Sequence, residues 1–154
     1  MRGSMGSRSG RPNTALVGIA GVHYVVSELS RRGLIALPTV RNTAAYDVVV
    51  VSPDGRRHAM LQVKASSKRV SFFRMPLSSR IKTGPHDFYV LVRWLTREHR
   101  YQGFMLTGAE AKAEVKRRER VQRSRGRSLV PCVSVTRGPS RARRWEQRWL
   151  RWSL

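Results

Sequence analysis

The amino-acid sequence predicts an α/β protein in which a central mixed β-sheet is flanked by helices. Three observations favour this fold class: an apolar stripe of helical period near the N-terminus, two Val-rich runs around a tight turn, and a charged segment that opens with a capping box. The predicted order is helix, strand, hairpin, strand, strand, helix, strand and helix, and helices on both sides of one sheet would bury those strands. With 154 residues, 40% of them hydrophobic, the chain has the size of one domain with a core.

The first helix is predicted over residues 15–32. At about 100° per residue, Val22, Val25 and Leu29 fall on one apolar face, whereas Glu28 points to the solvent side. Residues 1–7, MRGSMGS, are expected to be an expression-vector leader, and the N-terminus is expected to be disordered up to residue 14.

The hairpin is predicted from two Val-rich runs, residues 47–51 and 59–63, on either side of a Pro-Asp-Gly turn at residues 53–55. Val-rich runs bounded by these turn residues are typical of antiparallel strands joined by a tight connection. The hairpin is followed by a buried strand over residues 88–92 and a further strand over residues 101–106.

Three side chains of different chemistry are expected at the open end of this hairpin. Gln62 and Lys64 are two residues apart, so both leave the same face of the second strand. Pairing about the turn can bring Asp47, at the start of the first strand, beside the Lys64 end of the second. The alternative is that Asp47 is a strand-edge acid paired with Lys64 or Arg57.

This arrangement resembles the core of the PD-(D/E)XK nuclease superfamily, also called restriction-endonuclease-like, in which an Asp and a hairpin precede (Asp/Glu/Gln)-x-Lys. Gln62-Val63-Lys64 is similar to the Gln-x-Lys variant of that motif. Residues 18–33, GIAGVHYVVSELSRRG, resemble the first helix of small bacterial members. In those members a Glu of this helix helps to hold a metal ion, and the matching position here is Val22. The resemblance covers residues 16–107 and implies a restriction-endonuclease-like core.

The resemblance implies metal-dependent hydrolysis of phosphodiester bonds. Asp47 offers the anionic oxygen that Mg²⁺ (or Mn²⁺) prefers, and the amide oxygen of Gln62 and the carbonyl oxygen of Val63 are candidate further ligands. Lys64 would position the attacking water or stabilise developing negative charge. With Val22 in place of the acid, weak metal binding is expected, and the substrate phosphate would have to complete the ligand set.

The charge of the chain points to a polyanionic partner. Lys and Arg number 31 against 9 acids, for a formal net charge of +22. DNA is the favoured partner and RNA the second candidate. A membrane surface ranks lower because the basic stretches lack a long apolar opposite face. The candidate phosphate-binding residues are Ser66, Ser67, Lys68 and Arg69 after the second hairpin strand, and Arg123, Arg125 and Arg127 in a later basic loop. Ordinary solvated loops are the alternative for both segments.

The C-terminal third is predicted from a capping box and a tryptophan stripe. Thr107 and Glu110 have capping-box spacing, so a helix should run from near Gly108 to about Val121, with Ala109, Ala113, Val115 and Val121 as its apolar contacts. A last strand is predicted over residues 129–135. Residues 140–152 form a short helix whose tryptophans share one stripe, which favours docking on the domain over base stacking. They are Trp145, Trp149 and Trp152.

The predicted organisation is therefore a disordered leader over residues 1–14, a nuclease-like domain over residues 15–139 and a docked C-terminal helix over residues 140–154. The single cysteine, Cys132, favours a reducing, cytoplasmic compartment and is expected to be a small apolar residue in a strand. By analogy with small nucleases of this fold, a homodimer is a candidate assembly.

Three functions stay open from the sequence. The first is a metal-dependent DNA endonuclease. The second is a basic DNA- or RNA-binding module on the same fold that has lost catalysis. The third, supported by charge alone, is a structural RNA-binding or ribosome-associated protein.

Overall fold

The computed structural model describes residues 13–40, 46–136 and 138–154. Residues 1–12, which include the predicted leader and most of the predicted disordered N-terminus, lie outside the described residues. So do residues 41–45 of the loop before the hairpin. Thr14, which the sequence placed in the disordered N-terminus, is the first residue of a helix. The helices are α1 (Thr14–Arg31), α2 (Gly108–Ser124) and α3 (Pro139–Arg151), with a 3₁₀ turn at Ser78–Arg80. The strands are β1 (Ile35–Pro38), β2 (Val48–Val51), β3 (His58–Ser66), β4 (Phe72–Arg74), β5 (Asp87–Leu95), β6 (Arg100–Thr107) and β7 (Cys132–Ser134).

Five strands form one mixed sheet in the order β1-β2-β3-β5-β6, which confirms the predicted α/β class. β3 and β5 run parallel, and the other neighbours are antiparallel. The hairpin of β2 and β3 is the predicted one, with Val51 opposite His58 and Val48 opposite Leu61. β4 and β7 form a separate two-stranded sheet. The last strand is therefore shorter than predicted and pairs with a segment for which the sequence predicted no strand.

The sheet separates two apolar clusters. On one face α1 contributes Val25 and Leu29, which pack with Val63 of β3. On the other face α2 contributes Ala111 and Val115. Gly21 allows α1 to approach β3 closely, because a Cβ at this position would overlap that of Ala65. The first helix is thus held directly over the strand that carries Gln62 and Lys64.

The predicted apolar contacts of α2 are partly wrong. Val115 is buried, but Ala109 and Ala113 are exposed, and the inner face instead contains three polar residues. These are Glu114, Glu119 and Gln122. They can be buried because each has a hydrogen-bond or ion-pair partner, such as the Val130 main-chain N–H that donates to Gln122 at 3.0 Å. Hydrophobicity alone therefore misassigned the helix face.

α3 packs against the edge strand β6 through its tryptophans. Trp145 and Trp149 are only 2% and 1% exposed. Gly103 of β6 provides the room, since a Cβ there would overlap the Trp149 indole. Trp149 joins the cluster on the α1 side, whereas Trp145 joins the cluster on the α2 side. The helix therefore covers the edge of the sheet from both faces, and these two rings are core residues that cannot stack on bases.

Candidate functional site

The first strand of the hairpin begins with a local irregularity at Asp47. Val48 pairs with Leu61, yet the N–H of Asp47 also donates to the carbonyl oxygen of Leu61 at 2.8 Å. Asp47 precedes β2, and the β2–β3 ladder ends at the Val48–Leu61 pair, so the chain departs from regular pairing at Asp47. The residue at this bend carries the carboxylate.

The Asp47 carboxylate lies on the main chain of the Gln-x-Lys motif. Its Oδ2 accepts a hydrogen bond from the N–H of Val63 at 2.7 Å. This N–H faces the side on which β2 has already ended, so the carboxylate satisfies a strand group that has no ladder partner from β2. Among the described residues, Asp47 forms no ion pair with Lys64 or Arg57. The alternative of a simple strand-edge ion pair is therefore not what the structure contains.

The three residues of the motif divide between the two faces of β3. Val63 packs in the cluster with α1, so its neighbours Gln62 and Lys64 point to the opposite face. Gln62 lies beside Tyr89 of β5 and Lys64 beside Leu91, both of which belong to the cluster on the α2 side. Both side chains are partly exposed. The Asp47 carboxylate lies at the strand edge, at the peptide that joins Gln62 to Val63. It lines the cleft on the Val63 side, whereas Gln62 lines a pocket on the other face.

A cleft of about 550 Å³ opens between the first half of α1 and the start of β2. Asp47 and Val63 lie on one wall, and Val22 and Ile19 lie on the other, with His23 at the rim. Val22 is partly buried. Where the resemblance would place a second acid, this cleft therefore has an apolar wall.

The candidate metal ligands at this site are oxygen atoms, the kind that hard divalent cations prefer, but only one of them belongs to a carboxylate. Among the described residues, Asp47 Oδ1 accepts no hydrogen bond, and it is the candidate oxygen ligand for a cation. The carbonyl of Val63 points to the same strand edge as its N–H, because both main-chain groups of a strand residue face one neighbour. Within the described ranges, no three His, Cys, Asp or Glu side chains converge. Oxygen atoms of an amide, a carbonyl and a substrate phosphate would have to complete the ligand set.

A second acid, Asp87, lies near the motif on its other side. Tyr46, directly before Asp47, donates its hydroxyl hydrogen bond to Asp87 Oδ1 at 2.8 Å, and the N–H of Gly84 donates to Asp87 Oδ2 at 2.7 Å. Partial burial, together with the hydrogen bond to Asp87, raises the pKa of the Tyr46 hydroxyl. No local sequence pattern predicts this contact, because it depends on the parallel pairing of β3 and β5.

The two predicted phosphate-binding segments lie at different places in the fold and differ in exposure. Ser66 is the last residue of β3, and its hydroxyl accepts from the N–H of Lys68 at 3.3 Å, so it stabilises the local turn. Ser67 is partly buried, and Lys68 and Arg69 are exposed. The second segment was predicted as a loop, but Arg123 lies in the last turn of α2, so only Arg125 and Arg127 come after the helix. All three side chains are exposed.

Every acid of the chain already has an internal partner. Glu28, Glu98, Glu110 and Glu114 form ion pairs with arginines. Within the described residues the other five accept from neutral donors; they are Asp47, Asp54, Asp87, Glu119 and Glu146. The ion pairs engage only Arg31, Arg32, Arg100, Arg117, Arg141, Arg144 and Arg148. Most cations of the described chain therefore have no acid partner.

Comparison with protein-family models, with curated proteins and with solved structures found no match. Among the described residues, no helix combines the length and apolar character that crossing a membrane requires.

Proposed function

We propose that the protein binds DNA and hydrolyses its phosphodiester bonds at the open end of the hairpin, as a metal-dependent endonuclease with a restriction-endonuclease-like core. The observation that carries this proposal is the hydrogen bond from the Val63 N–H to the Asp47 carboxylate, which holds an acid against the Gln-x-Lys strand. The mixed sheet, with α1 packed over β3, supports the same proposal.

Each residue of the site has a role that its chemistry allows. Asp47 Oδ1, the Val63 carbonyl and the Gln62 amide oxygen would hold Mg²⁺ or Mn²⁺, which when bound supplies positive charge and a more acidic water. Lys64 would meet the negative charge that develops on the phosphate. The net charge of +22, with all acids engaged internally, would hold the polyanion on the surface.

A second candidate is favoured by the apolar wall of the cleft. Val22 lines the same cleft as Asp47 at the position where the resemblance places an acid, so the site has a single carboxylate in that cleft. The second function is therefore binding of DNA or RNA by the same fold without cleavage.

Plasmid nicking by wild type, Asp47→Asn and Lys64→Ala in Mg²⁺, Mn²⁺ or a chelator separates the two. We expect metal-dependent nicking by wild type and a loss on the order of 10²-fold or more in Lys64→Ala, since removing one stabilising donor has that size of effect. The variants, purified identically, control for contaminating nucleases. Binding without nicking would leave the second candidate, and a protein that neither binds nor cleaves DNA or RNA would overturn both.

A further inference from the structure

A second pocket, of about 200 Å³, lies against Gln62 on the sheet face away from α1. Tyr46 and Asp87 line this pocket together with the two cations Arg80 and Lys82. The turn that carries these two cations lies outside the Asp47 cleft, and neither the predicted site nor the predicted phosphate-binding segments included it. Tyr46 lines both the cleft and this pocket, so the two are adjacent.

We propose that Arg80 and Lys82 bind a backbone phosphate of the nucleic acid beside Gln62. The ligand class is a phosphodiester, and the site would hold the strand on the Gln62 side of the hairpin. This inference rests on the proposed function, because it assumes that a nucleic acid lies across the hairpin end.

The segment that carries the two cations is anchored at its start. The Glu119 carboxylate of α2, only 6% exposed, accepts from the Ser78 N–H at 2.9 Å and from the Ser78 hydroxyl at 2.6 Å. Ile81, between the two cations, is 4% exposed and packs in the core. Because Ile81 points inward, Arg80 and Lys82 are both left on the exposed side.

The end of the segment is anchored as well. Burial raises the pKa of the Tyr89 hydroxyl, and the nearby Lys82 main chain acts in the opposite direction. A Cβ at Gly108 would overlap the carbonyl oxygen of Lys82, so the main chain packs directly on the start of α2. The Lys82 ammonium lies 4.9 Å from the centre of the Tyr46 ring. The main chain of this segment is therefore already fixed, so the conformational cost of binding falls on the Arg80 and Lys82 side chains.

The nearby acid, Asp87, offsets part of this positive charge, but it forms no ion pair with either cation. Both oxygens of Asp87 are hydrogen-bonded to neutral groups, at 2.8 Å to the Tyr46 hydroxyl and at 2.7 Å to the Gly84 N–H. Within the described part of the chain, neither Arg80 nor Lys82 forms an ion pair. A phosphate would supply the missing negative charge, and guanidinium and ammonium groups are the usual donors to phosphate oxygens.

The test compares two double variants that remove equal charge. Arg80→Ala with Lys82→Ala removes the pocket cations, and Arg56→Ala with Arg57→Ala removes two exposed cations at the turn end of the hairpin. Affinity for a fluorescein-labelled DNA duplex is measured by anisotropy in chelator over a range of salt. We expect the pocket variant to bind about tenfold more weakly, and the slope of its log K against log salt to fall by about one for each phosphate no longer neutralised. The control should change much less.

The outcomes separate this inference from the proposed function. If wild type fails to bind any nucleic acid, the proposed function fails. If wild type binds and both double variants weaken equally, net charge alone is responsible and the pocket is not a phosphate site. Lysine acetylation of wild type, read by mass spectrometry with and without saturating DNA, gives a result that does not depend on folding of a variant. Protection of Lys82 supports the site, and unchanged acetylation of Lys82 overturns it.

Discussion

At the scale of single residues, Val22 decides how much negative charge the Asp47 cleft can offer a cation. It is partly buried on the wall opposite Asp47, and it lies more than two turns inside α1, which begins at Thr14. The helix dipole acts mainly on the first turn, so it would contribute little to a carboxylate at this position. The effect of an acid here must come from its charge near the ion.

Replacing Val22 with Glu should therefore raise metal-dependent nicking without changing DNA affinity in chelator. The carboxylate would add a second anionic ligand for Mg²⁺, and Glu is also a better helix former than Val. Plasmid nicking by wild type and Val22→Glu, in Mg²⁺ and then Mn²⁺, measures the gain. Val22→Gln is the matched control because it has the same size as Glu without the charge.

The double variant Val22→Glu with Lys64→Ala tests whether an increase in nicking by Val22→Glu requires Lys64. It should return nicking to background. Equal background nicking by wild type, Val22→Glu and the double variant, with the fold intact, would remove the catalytic function and leave nucleic-acid binding.

The sequence identified the candidate acid, amide and amine from a short motif, but not their surroundings. The bend at Asp47 depends on the register of β2 against β3, which no local pattern specifies. The contact of Tyr46 with Asp87 joins residues on β-segments that only the parallel pairing brings together. What these residues do stays a prediction at every position.

At the scale of elements, local signals predicted the elements whose pairing or capping is local. The capping box of Thr107 and Glu110 is present with both of its hydrogen bonds. The β2–β3 hairpin and the β5–β6 pair, with its antiparallel register from Phe88 opposite Thr107, also follow from short connections. β4 and β7 were missed or misplaced because each is three residues long and its partner lies about 60 residues away.

The two hydrogen bonds from Ser78 of the 3₁₀ turn to Glu119 of α2, here called the Glu119 clamp, should make the stability of the fold fall at acid pH. The two hydrogen bonds from Ser78 lower the pKa of Glu119 from its ordinary value of 4.5, although burial opposes them. A depressed folded-state pKa contributes stability above the unfolded pKa, and that stability is lost as pH falls through the folded pKa. The melting temperature should therefore decrease once the pH is lowered under about 4.5, in part because Glu119 takes up a proton.

Thermal melts of Glu119→Gln against wild type, followed by circular dichroism, measure this contribution. The variant should be destabilised by roughly 1–3 kcal/mol at neutral pH, the usual size for a hydrogen bond to a charged group. Its melting temperature should then depend less on acid pH than that of wild type. Glu98→Gln, which removes a surface acid paired with Arg100, is the control. Parallel pH curves for wild type and Glu119→Gln would show that the clamp is not the acid-sensitive contact.

At the scale of the whole molecule, acids and cations have different roles: every acid bonds to another part of the protein, whereas most cations are left for a partner. Acids hold elements together, as Glu110 does with Arg148 of α3 and Glu114 does with Arg141. Most of the remaining cations face solvent with no acid partner among the described residues. Composition predicted the sign and the size of the excess charge, and the structure shows which arginines the acids engage.

Nucleic-acid binding should therefore weaken steeply as salt rises, because each phosphate neutralised by a cation releases counterions. Anisotropy titrations of labelled duplex and single strands give the slope of log K against log salt, which counts the phosphates engaged. Replacing the exposed arginines at the C-terminal end of α2 and in the loop after it with Ala should flatten the slope if this segment contacts the nucleic-acid backbone; they are Arg123, Arg125 and Arg127. The control is a triple variant that removes the same charge elsewhere, with Ala in place of Arg56, Arg57 and Arg97. It shows whether an effect comes from local contact or from the loss of three charges. An unchanged slope would assign the loop to solvation, and a slope near zero for wild type would remove nucleic acid as the partner.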